Sequence, residues 1–256
     1  MCRDSFVVSD FTIRNNVMNM NYRMTIDLAG IPLDLVLRYA LAGDYFRSFA
    51  TDREGLAELS ISDTDWDRLV SNGFKRCAEV EASYMSAYCS SELLKYNRCI
   101  VHAVAFRDKE NAWLIAAPSG VGKTTQFMTL QDLYPGTYSM ICGDRPVLQL
   151  MDDGKVMVHP APWNGKEHMG GADPAPLAGL ILLSRGEQNQ IRQCSAKQSV
   201  IPVFKTIIQT ALTEKDVKLA AGFVSELLKR VRVWEFINED IPDSTRLLHD
   251  TVLMEV

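Results

Sequence analysis

The sequence predicts an α/β fold: a mixed β-sheet core with flanking helices, preceded by a smaller α+β region. Three observations carry that prediction. From residue 99 onward, apolar runs of strand length alternate with stretches of helical apolar spacing. Short polar turns join several of these runs as hairpins, which makes the sheet mixed rather than purely parallel. The chain has 256 residues, 47% of them hydrophobic and 23% charged, enough for one large packed domain or two small ones. The expected organisation is an N-terminal α+β region over 1–97, acting as scaffold or substrate dock, and a core over 98–256.

Taken in order, residues 22–28 alternate polar and apolar like a strand. Over 31–46, Leu33, Val36, Leu37, Tyr39 and Ala40 fall at helical spacing behind Pro32, so a helix is expected there. A short strand fits 57–61. Asp63 reads as the N-cap of a helix through Trp66, Leu69 and Val70 that stops at Gly73. A longer helix fits 79–96. The run CIVHAVAF at 99–106 and the run AWLIAA at 112–117 read as two strands of a hairpin about the polar turn RDKEN. A glycine-containing loop, a helix to Leu133 and a strand over 138–142 follow. Residues 147–151 and 155–159 form a hairpin about Asp152, Asp153 and Gly154. After a Pro/Gly-rich stretch at 160–176 come strands at 177–184 and 190–196. Helices at 197–212 and 214–231, a strand at 232–238 and a helix after Pro242 close the core.

Composition narrows the function. A formal net charge of -5 argues against nucleic-acid binding, which asks for a basic face. No apolar run approaches the roughly 20 residues that cross a bilayer, and the start MCRDSFVVSD has no apolar signal core. Cys2, Cys77, Cys89, Cys99, Cys142 and Cys194 form no C-x-x-C pair and read as small buried residues of a reduced compartment. A cytoplasmic protein without membrane or nucleic-acid partners is expected.

The chemistry concentrates at APSGVGKTT, residues 117–125. Gly122, Lys123 and Thr124 match the second half of the phosphate-loop pattern G-x-x-x-x-G-K-[ST], with Ala117 standing where that pattern has its first glycine. Between an apolar strand and a helix, Ser119, Gly120, Val121 and Gly122 offer backbone amides to phosphate, and the helix N-terminus adds positive charge. Lys123 can bridge the β- and γ-phosphates, Thr124 can ligate Mg²⁺, and Thr125 completes the cradle. The strand YSMIC leads to Gly143 and Asp144, an acid placed to hold the metal or its water shell; a plain turn is the alternative. His102, on the strand hairpinned to the one that enters the loop, is a candidate to orient Asp144, share a proton with it, or touch metal or phosphate, against the blander role of a packed core histidine. The polar PWNGKE segment contributes Lys166 for transferred charge and Glu167 for a metal or substrate hydroxyl, or else is a surface loop anchored by Trp163.

The arrangement IVHAVAFRDKENAWLIAAPSGVGKTT, followed by MICGDRPV, resembles the phosphate-loop core of HPr kinase/phosphorylase and ATP-dependent phosphoenolpyruvate carboxykinase. His102, Ser119 to Thr125, and Asp144 match positions that those families use. Arg145 stands where they carry a second aspartate, and an Arg-Gly-Leu-Gly type substrate segment is not visible. Through LLKYN, GDRPVL and PWNGKE the chain is also similar to HPr-kinase-like proteins of peptide-modification gene clusters, including lasso-peptide kinases.

The resemblance implies ATP and Mg²⁺ as cofactors and a γ-phosphoryl transfer to the Ser or Thr hydroxyl of a ribosomally made precursor peptide or small protein. In that reading Lys123 grips the triphosphate, Thr124 and Asp144 hold magnesium, and Asp144 with His102 takes the hydroxyl proton. A homo-oligomer is compatible with it. The alternatives are a non-catalytic nucleotide-binding regulatory module and a carboxykinase-like lyase acting on a small keto acid.

Overall fold

A computed structural model describes residues 18–165, 168–209, 213–239 and 241–255. Cys2, Lys166, Glu167 and positions 210–212 of the helix expected at 197–212 lie outside the described residues. The chain divides into two compact units: one reaches Asp27 and resumes over Ile31–Tyr88, and the other comprises Leu28–Gly30 and everything from Cys89 onward.

The smaller unit is built on β1 (Met18–Leu28), β2 (Ile31–Tyr39) and the two-residue β3 (Glu58–Leu59), in that order across a three-stranded sheet. Here the structure corrects the sequence reading, since 31–39 is a strand and not the start of a helix. Leu33, Leu35, Leu37 and Tyr39 alternate into the core, a period of two that the helical spacing in the same stretch concealed. Ala29 and Gly30, both at positive φ, form the tight turn that folds β2 back on β1. Only 42–46 is helical, as the short α1 (Ala42–Phe46). The helix α2 (Asp63–Ser71) starts one residue earlier than expected, because the Ser62 side chain, not Asp63, accepts from the Asp65 amide as the cap. On α3 (Ala78–Leu93) the fully buried Glu81 accepts the backbone N–H groups of Arg38 at 2.8 Å and Tyr39 at 2.9 Å.

The larger unit carries a nine-stranded mixed sheet. Its strands are β4 (Arg98–Ile100), β5 (Ala103–Asp108), β6 (Asn111–Ala116), β7 (Tyr138–Cys142), β8 (Val147–Leu150), β9 (Val156–His159), β10 (Ala175–Arg185), β11 (Gln190–Cys194) and β12 (Arg232–Asn238). The long β10 organises it. Its first residues pair antiparallel with β9, which continues to β8 and β4. Its remainder lies parallel between β6 and β12, followed by β5 and β7 on one side and β11 on the other. Gly179 lets the sheet close at that point, because a Cβ there would stand 2.4 Å from both Trp113 and Trp234.

Side chains alternate to both faces, and both faces are buried. Val104, Phe106, Trp113, Ile115, Ile181 and Phe236 meet Phe127 and Leu130 of α4 (Lys123–Leu133) and Leu248 of α7 (Asp243–Thr251). Behind the first turn of α4, the buried Gln126 amide donates to Ser244 Oγ at 3.1 Å and accepts from Thr245 Oγ1 at 2.7 Å. The helices α5 (Ala196–Phe204) and α6 (Glu214–Arg230) complete the unit. Helix α5 ends well short of 212: Pro202 lacks an amide hydrogen, and by Ile207 the chain already forms a β-bridge to Val101.

Candidate active site

The strand expected over 99–106 is broken. β4 ends at Ile100, β5 begins at Ala103, and His102 sits in the bend between them rather than within a hairpin strand. Its backbone is fixed there, since His102 N donates to Thr206 O at 2.7 Å and Ala103 N to Asp144 O at 2.9 Å. The bend is what frees the ring to reach the glycine loop.

That loop leaves the C-terminal end of β6 and enters α4. Gly120 at φ +78° and Gly122 at φ +117° adopt left-handed backbone, with open space where a Cβ would be, so conformation and not crowding demands glycine. Gly122 is the N-cap of α4; no side chain caps this end, and the first turn holds no acid. The helix dipole therefore faces the cleft without internal compensation. Ala117, in place of the pattern's first glycine, is buried at the end of β6.

Lys123, 8% exposed, turns its ammonium back under the loop. Nζ donates to Ala117 O at 2.9 Å, lies 3.5 Å from Pro118 O, and meets His102 Nε2 at 3.1 Å. The same Nε2 is 3.3 Å from Asp144 Oδ1, and Arg145 Nε is 3.2 Å from Asp144 Oδ2. The order is thus lysine, histidine, aspartate, arginine. An ammonium can only donate and a carboxylate can only accept, so the one ring nitrogen serves Lys123 when bare and Asp144 when protonated. Proton position and hydrogen-bond partner are linked at that atom.

Electrostatics follow from this crowding. Burial holds the Lys123 ammonium below the ordinary lysine value, while Asp144 pulls the other way. Burial pushes Asp144 upward, but the His102 hydrogen bond and the charges of Arg145, His102 and Lys123 outweigh it, so the carboxyl lies below its ordinary value.

These groups line one cleft of about 550 Å³. Ser119, Gly120, Gly122, Lys123, Thr124, Thr125, His102 and Asp144 all border it. Val121 does not; its side chain packs on the apolar core, its amide donates to Pro118 O at 3.4 Å and its carbonyl accepts from Arg185. Gly165 of the PWNGKE segment reaches the rim, while Lys166 and Glu167 fall outside the described residues. Trp163 anchors that segment as a buried side chain.

The cleft gives two arginines a place that the sequence reading did not. Arg145 is not merely a missing aspartate but the ion-pair partner of Asp144. Arg185, left between the strands expected at 177–184 and 190–196, donates from Nε to Val121 O at 3.2 Å and from Nη2 to Gly120 O at 3.1 Å. A signal for it existed. Parallel strands bind ligands at their carboxyl ends, and Arg185 ends β10, the parallel neighbour of β6. With Lys123, Arg145 and Arg185 against the single carboxylate of Asp144, the cleft suits an anion.

Among the described residues, no three His, Cys, Asp or Glu side chains gather as a metal site, and no helix is long and apolar enough to cross a membrane. No family model matches the chain, and no curated protein matches it. Among solved structures it is similar to the HPr(Ser) kinase/phosphatase from Coxiella burnetii, at 12% identity and a TM-score of 0.36, over 61% of this chain and 99% of that one. A likeness so faint assigns no activity, and the functional reading rests on the cleft alone.

Proposed function

We propose that the protein is an ATP- and Mg²⁺-dependent kinase that transfers the γ-phosphoryl group to a Ser or Thr hydroxyl of a peptide or small protein in the cytoplasm. One observation carries the reading: the unbroken run from Lys123 Nζ through His102 Nε2 to Asp144 Oδ1, at the mouth of a phosphate-type glycine loop. A lysine that reaches the β- and γ-phosphates thereby sits two contacts from a carboxylate able to receive a proton.

The residues divide the work. Backbone amides of 119–125 and the α4 N-terminus hold the phosphates, with Arg185 fastening the loop from outside. Phosphate oxygens replace Ala117 O as acceptors for Lys123. Asp144 orients the acceptor hydroxyl and takes its proton as the oxygen bonds to γ-phosphorus and the bond to the β-bridging oxygen breaks, releasing ADP. The low proton affinity of Asp144 suits a loose transition state, in which positioning outweighs basicity. The bare His102 Nε2, which accepts from Lys123 at rest, accepts instead from the Asp144 carboxyl group once that group holds the substrate proton. The hydroxyl of Thr124 and the carboxylate of Asp144 would hold magnesium, as hard oxygen ligands beside the phosphates. When bound, the metal would neutralise phosphate charge. Lys166 is assigned to transferred charge and Glu167 to a metal or substrate hydroxyl on the sequence alone.

One feature favours a second reading, a nucleotide-gated binding module: Arg145 occupies the Asp144 carboxylate. Calorimetry with MgATP and transfer from γ-labelled ATP to pooled Ser/Thr peptides separate the two. We expect Lys123→Ala to weaken ATP binding at least tenfold and abolish transfer. Asp144→Asn should spare binding and lower transfer by about 10²–10⁴, the usual worth of a positioned base. Absence of heat with MgATP, or wild-type transfer by the Asp144 variant, would sink the kinase reading. Binding without any transfer would establish the module.

A further inference from the structure

A second hollow, of about 370 Å³, adjoins the phosphate cleft, and His102 is the one described residue that lines both. Its walls are apolar: Ala116 and Ala117 at the end of β6, Pro118, Leu182 and Leu183 of β10, and Pro202 of α5. Its size lies within the range of pockets that take small ligands or side chains.

Its position follows from the lysine. In a phosphate loop this side chain reaches the β/γ end of the nucleotide, not the base end. Lys123 Nζ touches Ala117 O and His102 Nε2, and both of those residues wall the hollow. The hollow therefore opens beside the end from which a phosphoryl group departs. Thr206, also in its wall, fixes the His102 backbone at 2.7 Å, so an occupant and the histidine share one support.

The surface beyond the hollow describes the occupant. Lys205 stands at the mouth, exposed, and makes no ion pair among the described residues. One turn earlier on the same helical stripe Ile201 is 66% exposed, with Lys205 N donating to Ile201 O at 3.1 Å. A small molecule would end inside the hollow. Ile201 carries the apolar wall outward along α5 between two exposed cations, Lys205 and Lys197, which fits an extended acidic chain.

Building on the kinase reading, we infer that this hollow is the acceptor pocket, and that it selects a peptide with a large aliphatic side chain beside the phosphorylated hydroxyl and an acidic side chain farther along, over Lys205. The test uses the full chain, γ-labelled MgATP and Ser-centred peptide pools, each with one flanking residue fixed. Pools fixed as Leu, Ile, Val or Met next to the Ser should be labelled about tenfold more than Gly or Asp pools, the low end of what a hydrophobic pocket discriminates. Leu182→Asp should erase that preference while ATP affinity by calorimetry stays within about twofold. Lys205→Glu, a surface change that leaves the fold intact, should turn the flanking preference from acidic to basic. Equal labelling of all pools, or preferences that Lys205→Glu leaves in place, would each overturn the pocket assignment and leave the kinase reading standing; no label anywhere despite normal ATP binding would overturn both and leave the nucleotide-gated module. Failure to bind ATP would instead strike the kinase reading itself.

Discussion

Gly143→Ala probes how the acid of the cleft is held. A Cβ at Gly143 would stand 2.4 Å from the carbonyl oxygen of Asn164 and 3.1 Å from that of Met169. Both are backbone atoms, so no side-chain rotation relieves the contact. Even a separation of 3.0 Å requires a movement of about 0.6 Å (3.0 less 2.4). The segment that must yield is tied to the end of β7 and to the residues that follow it. Arg145 N donates to Trp163 O at 3.1 Å, Ala172 N to Met140 O at 3.0 Å, and the buried Cys142 thiol lies 3.5 Å from Trp163 O. Overpacking of this kind costs about 1–3 kcal/mol. At about 2–4 °C per kcal/mol for a unit of this size, the Tm of the larger unit should fall by about 2–12 °C. Asp144 is the next residue and Gly165 rims the cleft, so transfer should fall about ten- to a hundredfold, as misplacements approaching 1 Å do. Gly120→Ala is the contrast. Nothing lies within 4 Å of its Cβ, but φ is +78°, so it strains the loop and should weaken ATP binding first. Scanning calorimetry with parallel ATP titrations reads both variants. A Gly143→Ala protein with unchanged Tm and unchanged transfer would refute the argument that this glycine is required by close backbone approach.

Other outcomes follow from contacts already described. Arg185→Ala should weaken ATP binding about fivefold, since two hydrogen bonds from an exposed guanidinium are worth about 1 kcal/mol net; unchanged affinity by calorimetry would remove Arg185 from the site. Arg185→Lys should restore little, because an ammonium lacks the fork that spans two carbonyls. Glu81→Ala leaves the amides of Arg38 and Tyr39 without their buried acceptor and should cost about 2–5 kcal/mol in urea melts, with Glu81→Gln losing less. Acid should act through Asp144: its folded carboxyl lies below the ordinary value of about 3.9, so its contribution is complete above that value and is lost as pH falls through the lower, folded one. Asp144→Asn should flatten the stability curve in that window and nowhere else; an identical acid limb in the variant would contradict the assignment.

Much of the larger unit was legible because its signals are local. The strands Tyr138–Cys142 and Arg232–Asn238 match their expected bounds, and the β8–β9 hairpin turns at Asp152, Asp153 and Gly154 as read. The smaller unit misled at 31–39, where leucines satisfied two periods at once and the turn signal at Ala29 was weak, since alanine seldom takes positive φ. Of the candidate site, the loop, Lys123 and Asp144 were visible as a pattern. The bend at His102 was not, because it depends on Thr206 and Asp144, partners distant in the chain. Arg185 was hidden for a similar reason: nothing local says that β10 lies beside β6.

The Gln126 amide finds its partners at Ser244 and Thr245, 118 and 119 positions farther on. During synthesis, the helix that carries Lys123 leaves the ribosome long before the groups that satisfy its buried amide exist. Until β12 and α7 arrive, one edge of β10 stays unpaired and that amide has only water to bond. A nascent or truncated chain that stops before Arg232 therefore carries the whole glycine loop without the strand that covers β10 or the two hydroxyls that pair with the Gln126 amide.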